Sequence, residues 1–286
     1  MYWQSYILGF LFSCGIEAIQ YITRLGYCEA DDVLNNTIGA AAGAGMKFLI
    51  GGDCSLLKRW EELPEFMRTP EVRPYWEVLN KKRFQLRLKR AFDLCAGGAI
   101  LIVTAIPMAV IAAAIKLDSR GPVFYRQERV TAYGKKFMIH KFRTMVSNAD
   151  TIGASVTVNS DIRITRVGSK LRDFRLDELP QVFDVLSGDM SFVGTRPEIT
   201  KYVMNYKPEF YATLLLPAGI TSEASIRYKD ENTLLSAADD VDKDYIEQVL
   251  PAKMIWNLES VRRFRFSKEF LTMFRTVAAV LHKNND

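Results

Sequence analysis

The chain has 286 residues, a formal net charge of +5 and a mean hydropathy of −0.02, with 49% hydrophobic residues; it has room for one sizeable core plus something smaller, and not for three full domains. Four scattered cysteines, Cys14, Cys28, Cys54 and Cys95, show no CxxC spacing and argue against a zinc site or a disulfide framework. His140 and His282 are the only histidines, which disfavours histidine-based chemistry and leaves carboxylates to act as acid, base or nucleophile.

The near-zero hydropathy is an average over strongly clustered apolar runs, the pattern of a membrane protein. YILGFLFSCGIEAIQYI (6–22) and VLNNTIGAAAGAGMKFLI (33–50) flank a short turn bearing Glu29, Asp31 and Asp32. Each run is near the lower length limit of a spanning helix. The small residues of GAAAGAG (39–45) allow close helix approach in lipid, although a buried soluble hairpin is the alternative. Lys58 and Arg59 follow the second run and set its C-terminal end in the cytoplasm. Through GIEAIQ, DDVLNN and IGAAAG, residues 1–50 resemble the C-terminal part of VanZ-like membrane proteins. That resemblance implies a transmembrane helical hairpin and no particular chemistry.

Residues 51–80 contain Pro64, Pro70 and Pro74 with little periodicity, and read as a linker near the membrane surface. The basic run KKRFQLRLKR (81–90), interleaved with Phe84, Leu86 and Leu88, predicts an interfacial helix whose cations meet anionic head groups. LCAGGAILIVTAIPMAVIAAAI (94–115) is long enough to span a bilayer, but Pro107 stands near its centre. Its flanks are both basic, with Lys89 and Arg90 before and Lys116 and Arg120 after. Both ends are therefore expected on the cytoplasmic side, giving a re-entrant helix-break-helix over 91–117 that turns at Ile106 and Pro107. A single kinked spanning helix is the competing arrangement. The expected units are a hairpin over 1–50, a linker over 51–80 and a cytosolic domain with its re-entrant segment over 81–286.

Beyond that segment, GPVFYRQERV (121–130) and KKFMIHKFRTM (135–145) read as a β-hairpin turning at TAYG. A polar loop follows, then helices near 166–186, 197–206, 241–259 and 267–281, so the class is α+β. No GxGxxG or P-loop lysine motif is present, which removes the usual glycine-rich phosphate cradles, and no nucleic-acid module is recognisable.

Cations are placed to do that work instead. Lys141 and Arg143, then Arg163, Arg166, Lys170, Arg172 and Arg175, then Arg196, surround the adjacent acids of RLDELPQ, Asp177 and Glu178. Taken locally, D-x-x-P makes Asp177 a helix N-cap with Pro180 in the first turn. Arginine forks match phosphate oxygens, and two carboxylates can approach a phosphate only when cations or a divalent metal stand between them.

The ordered series KRAFDL, the Pro-broken apolar run, GPVFYRQERV, KFRTM, DIRITRVGSKLRDFRLDELPQ, LSGDMSFVGTRPE and LPAGIT resembles the bacterial sugar transferase family, the monotopic polyprenyl-phosphate phosphoglycosyl transferases, from about residue 85 onward. The resemblance implies transfer of a sugar-1-phosphate from a UDP-sugar to undecaprenyl phosphate with loss of UMP, in the bacterial cytoplasmic membrane, as a first membrane step of exopolysaccharide or other surface-glycan synthesis. It implies Asp177 as nucleophile, Glu178 as the ligand of Mg²⁺ (magnesium), and Lys141, Arg172 and Arg196 as phosphate-binding cations, to which the cation cluster around the acid pair adds Arg143. Membrane lipids are implied partners, nucleic acid is not, and a homodimer is compatible with the chain. Thr195 stands where many members have proline, and PAGITSE (217–223) replaces the usual PGITG, which leaves the sugar open. A one-step transfer with Asp177 as general base, or a membrane-anchored lipid-binding scaffold, remains the alternative.

Overall fold

The computed structural model describes residues 57–146, 163–228 and 241–282; the expected N-terminal hairpin lies outside them. Within them the chain is a mixed helix and strand structure, in agreement with the α+β expectation.

Residues 57–80 form short 3₁₀ turns, Trp60–Glu62 and Glu65–Met67, and helix α1 (Arg73–Asn80), which has Pro74 in its first turn. The prolines make turns here without excluding the stretch from the interior. Leu57, Leu63, Met67, Val72 and Leu79 are all buried in the main apolar cluster. From Leu57 onward the segment expected as a linker is thus part of the folded unit, its buried side chains irregularly spaced in a way that shows neither helical nor strand periodicity.

Helix α2 (Arg83–Asp118) is 36 residues long, about 54 Å at 1.5 Å per residue. Its most apolar eighteen-residue window has a mean hydropathy of 2.5. The expected interruption at Ile106 and Pro107 is absent from the helical pattern: the helix continues through Pro107. A helical φ suits the pyrrolidine ring, although the proline removes its own N–H bond and its ring crowds the carbonyl of Val103 one turn back. One stripe of α2 faces the protein, with Leu86, Leu94, Gly97, Met108 and Ile115 buried, while Val103, Ile106, Val110 and Leu117 are exposed.

Both ends of α2 are fastened to the same domain. Near its start, Lys89 Nζ donates to Val193 O (2.6 Å) and Glu269 Oε2 (2.7 Å), and Arg90 donates to Val185 O and Leu186 O. Those two cations, expected to meet lipid head groups, are instead buried structural donors. They satisfy carbonyls that a buried helix end and a strand would otherwise leave unmade. At its finish, Arg143 donates to Ser119 O, Ser119 Oγ and Arg120 O, and Asp118 Oδ2 accepts from Val167 N.

Strands β1 (Phe124–Val130) and β2 (Lys136–Phe142) pair antiparallel from Phe124 opposite Phe142 to Val130 opposite Lys136, with Tyr125 opposite Lys141. The expected hairpin is present, closed by a turn through Ala132–Gly134. Helix α3 (Arg166–Asp173) is capped by Thr165, whose Oγ1 accepts from Gly168 N at 3.0 Å. Gly168 is required by contact: a Cβ there would lie 2.0 Å from Thr144 O. Next come the 3₁₀ turn Leu176–Glu178 and α4 (Gln181–Ser187).

Strand β3 (Met190–Val193) pairs in parallel with β4 (Ala218–Thr221), a pairing the alternation pattern did not suggest because both strands are four residues long. The parallel arrangement needs a crossover, supplied by α5 (Thr200–Val203) and the 3₁₀ segment Pro208–Leu215. Gly219 meets Gly194 so closely that a Cβ on it would lie 2.1 Å from Gly194 N. Helix α6 (Glu223–Arg227) ends the first described part of this region. The C-terminal part runs as α7 (Val241–Asp244), a π turn (Tyr245–Val249), α8 (Leu250–Arg262) and α9 (Phe266–His282).

Candidate active site

Asp177 and Glu178 occupy the 3₁₀ turn that follows α3. The chain enters it through Arg175, whose φ of 56° is left-handed, a strained conformation for a residue with a Cβ. Helix α4 begins later, with Pro180 at the cap position, so Asp177 is not its N-cap. The residues between Asp177 and Pro180 are already turned, and that frees the Asp177 carboxylate from a capping role. Among the described residues it makes no hydrogen bond; only burial and neighbouring charges act on it.

Glu178 is the opposite. Its Oε1 accepts from Lys141 Nζ at 2.8 Å and from Arg196 Nη2 at 2.7 Å, with its side chain 13% exposed. Lys141 comes from β2 and Arg196 from the loop after β3, so three segments distant in sequence meet on one oxygen. Burial pushes the Glu178 carboxyl up, but the charges and hydrogen bonds of Arg196 and Lys141 outweigh it and hold the group well below the ordinary range. Burial lowers the Lys141 amine, and Glu178 opposes that. Asp177 is pushed up by burial and by the charge of Glu178, with Lys141, Arg172 and Arg175 pulling the other way. Two neighbouring acids therefore have their affinities for protons driven apart, one locked as an anion by two cations and one held ready near its own set.

Of the expected phosphate-binding cations, Lys141 and Arg196 stand at the acid pair. Arg172 acts electrostatically on Asp177 while its Nε donates to Thr144 Oγ1 at 3.0 Å. Arg143 is placed differently. Its guanidinium is buried and turned to the Ser119 and Arg120 carbonyls, because it sits where the polypeptide leaves α2 and those carbonyls have no helical partner. His140, beside Lys141, is tied to the buried Asp184 through its backbone N (2.9 Å) and Nδ1 (2.6 Å), a structural pair.

Among the described residues no group of three or more His, Cys, Asp or Glu could hold a metal. Both cation contacts of Glu178 fall on Oε1. Among the described residues Glu178 Oε2 is left without a cation contact, and an ion such as Mg²⁺, which takes one or two carboxylates and completes its shell with phosphates and water, would need an oxygen so placed.

The sequence reading missed a polar cluster behind Arg196, consisting of Arg129, Glu198, Tyr245 and Lys253. Arg129 Nη1 donates to Pro197 O (3.1 Å), and Tyr245 Oη donates to Glu198 Oε1 (2.6 Å). Arg129 lies on the same strand face as Lys141, which period-two alternation would have shown. Tyr245 and Lys253 carry no such signal, since a helical i, i+8 pair is ordinarily read as core and surface.

A family model for bacterial sugar transferases matches residues 84–283, and one for VanZ/LLP1 matches residues 1–51. The UDP-N-acetylgalactosamine-undecaprenyl-phosphate N-acetylgalactosaminephosphotransferase of Aeromonas hydrophila is 33% identical over 198 residues, 68% of this chain and 44% of that protein. The undecaprenyl-phosphate glucose phosphotransferase of Komagataeibacter xylinus is 33% identical over 217 residues, 73% of this chain and 37% of that protein. The exopolysaccharide production protein PSS of Rhizobium leguminosarum bv. phaseoli is 40% identical over 149 residues, 50% of this chain and 74% of that protein. The chain spans less than half the length of the first two relatives. With the family match covering well over half of its residues, the chain belongs to the bacterial sugar transferase family, a family of enzymes.

Proposed function

We propose that this protein transfers a sugar-1-phosphate from a UDP-sugar to undecaprenyl phosphate, releasing UMP and forming an undecaprenyl-diphospho-sugar. The observation that carries the reading is the asymmetry of the acid pair. Glu178 is clamped between Lys141 and Arg196, while Asp177 beside it is half-buried, makes no hydrogen bond among the described residues and is flanked by the field of Arg172 and Arg175. The relatives' names support the general reaction.

In this reading an Asp177 carboxylate oxygen bonds to the sugar-bearing phosphorus as the bond to the UMP oxygen breaks and UMP leaves. A phosphate oxygen of the lipid then bonds to the same phosphorus and expels Asp177, restoring the carboxylate. Lys141 and Arg196 hold positive charge where the phosphate oxygens gather it. Mg²⁺ bound at Glu178 would neutralise further phosphate charge.

The membrane arrangement we assign is supported by α2. A spanning helix would put its two ends on opposite sides of a hydrocarbon core of about 30 Å, yet both ends of α2 bond to one domain. We therefore assign a monotopic arrangement, with Val103, Ile106, Val110 and Leu117 towards lipid and the acid pair at the cytoplasmic face, within reach of a soluble nucleotide and a lipid phosphate. A surface glycan such as exopolysaccharide is the pathway class we assign.

The test uses the full chain in detergent with a panel of UDP-sugars labelled at the sugar-linked phosphate. Without acceptor, label should become bound to the protein and be lost in Asp177→Asn; undecaprenyl phosphate should then discharge it. UMP release only in the presence of acceptor, with no bound label, would show one-step general-base transfer. Lipid binding with no UMP release from any donor would leave the scaffold reading.

A further inference from the structure

Arg196 meets Glu178 from a loop, and loops do not position charges unless something holds them. The Gly194–Ile199 connection is pinned at its first residues by Gly194 N to Thr221 O (3.0 Å) and Gly219 N to Thr195 O (2.8 Å). From the hairpin side, Val130 N donates to Glu198 O at 2.9 Å and Arg129 to Pro197 O at 3.1 Å. These bonds reach the backbone on either side of Arg196.

A further restraint comes from the C-terminal helices. Glu198, two residues beyond Arg196, is 7% exposed, and its Oε1 accepts from Tyr245 Oη at 2.6 Å. Lys253 Nζ donates to that same Tyr245 Oη at 3.0 Å and stands 3.6 Å from Glu198 Oε1. Tyr245 and Lys253 are 5% and 3% exposed. A buried acid, phenol and amine are a poor way to gain stability, because desolvation offsets their attraction, and in some proteins such clusters instead fix one arrangement of the chain. Tyr245 opens the π turn Tyr245–Val249, an irregularity that frequently accompanies function, and its ring is fixed against Tyr202 at 4.5 Å.

We propose that Glu198, Tyr245 and Lys253 form a buried strut that sets the position of Arg196 against Glu178, making the C-terminal helices a source of positioning residues for the acid pair. What the strut does for turnover rests on the transferase reading above, but its hold on the loop does not.

Tyr245→Phe deletes one hydroxyl and keeps the ring against Tyr202. In the full chain, hydrogen exchange of peptides covering 194–199 should speed up about tenfold or more in Tyr245→Phe and Glu198→Gln. In the UMP-release assay, kcat/KM for the donor should fall about tenfold in Tyr245→Phe. The same substitution should change it less than twofold in an Arg196→Ala background, because the strut acts through Arg196. A purely structural role would lower kcat/KM by equal factors in both backgrounds. Unchanged exchange at 194–199, or equal losses in both backgrounds, overturns the strut. A wild-type chain that releases no UMP overturns the transferase reading alone, since the exchange experiment still decides whether Tyr245 holds the loop.

Discussion

Glu178→Gln is the most informative single change at the acid pair. It keeps the shape of the side chain and removes the charge on which Lys141 and Arg196 converge at 2.8 and 2.7 Å. The three side chains are 20%, 33% and 13% exposed for Lys141, Arg196 and Glu178, so water compensates little at Lys141 and more at Arg196. Charge-assisted bonds contribute about 1.5–3 kcal/mol each, and stranding a buried partner costs about 3–5 kcal/mol. The amide oxygen still accepts one bond, and Arg196 can turn partly to solvent, which brings the net loss to about 2–4 kcal/mol. For a domain of this size that is a drop of about 5–15 °C in the unfolding midpoint, measurable by thermal unfolding in detergent. Adding Lys141→Met to Glu178→Gln should cost less than the sum of the two single changes, since the second removes a charge already stranded. If Glu178→Gln unfolds at the wild-type midpoint, or the double change is fully additive, the clamp on Oε1 does not hold the acid pair together and the reasoning fails.

Other outcomes follow from the same geometry. Because the Asp177 carboxyl is raised above its ordinary 3.8, UMP release should fall on acidification with an apparent pKa above that value, and Glu178→Gln should move this limb to lower pH by removing a neighbouring negative charge. Glu178 is depressed, so the stability it contributes is present above about pH 4.5 and lost as pH falls through its lower folded value. The stability advantage of the wild type over Glu178→Gln should therefore shrink between about pH 6 and 3, the raised Asp177 being common to both; an advantage that stays constant over that range would contradict its pairing with Lys141 and Arg196. Arg143→Lys should lower the unfolding midpoint, since a point ammonium lacks the planar fork by which Nη1 meets Arg120 O and Nη2 meets Ser119 O; KM for the donor should stay within about twofold, and a large rise in KM would return Arg143 to phosphate binding. Gly168→Ala should destabilise by about 2 kcal/mol or more, because its Cβ would meet Thr144 O at 2.0 Å; a fully stable Gly168→Ala protein would mean the α3 contact can shift.

Much of the fold is written locally. The hairpin over 124–142 shows in the apolar, β-branched and aromatic run on either side of TAYG, and the helices near 241–262 and 266–282 show in their periodicity. The acid pair and the cations Lys141, Arg172 and Arg196 are legible through the family motifs they fall in, since residue type alone does not separate these cations from their basic neighbours. What could not be read was which cations serve structure. Lys89, Arg90 and Arg143 look like the others in one dimension, and only the packing of α2 turns them onto buried carbonyls. The stretch 57–80 misled for a related reason, since prolines mark turns whether those turns lie outside the fold or line its core.

By itself, then, the amino-acid order determined which groups can do chemistry and which runs prefer lipid or a helix, because those are properties of single residues and of short-range spacing. Tertiary structure decided that Glu178 is the clamped acid and Asp177 the uncommitted one, and that both ends of a 36-residue helix return to one domain. Tyr245 likewise reaches Glu198 across 47 residues. These depend on contacts between distant segments, whose geometry is set only when desolvation, charge and close packing are satisfied together.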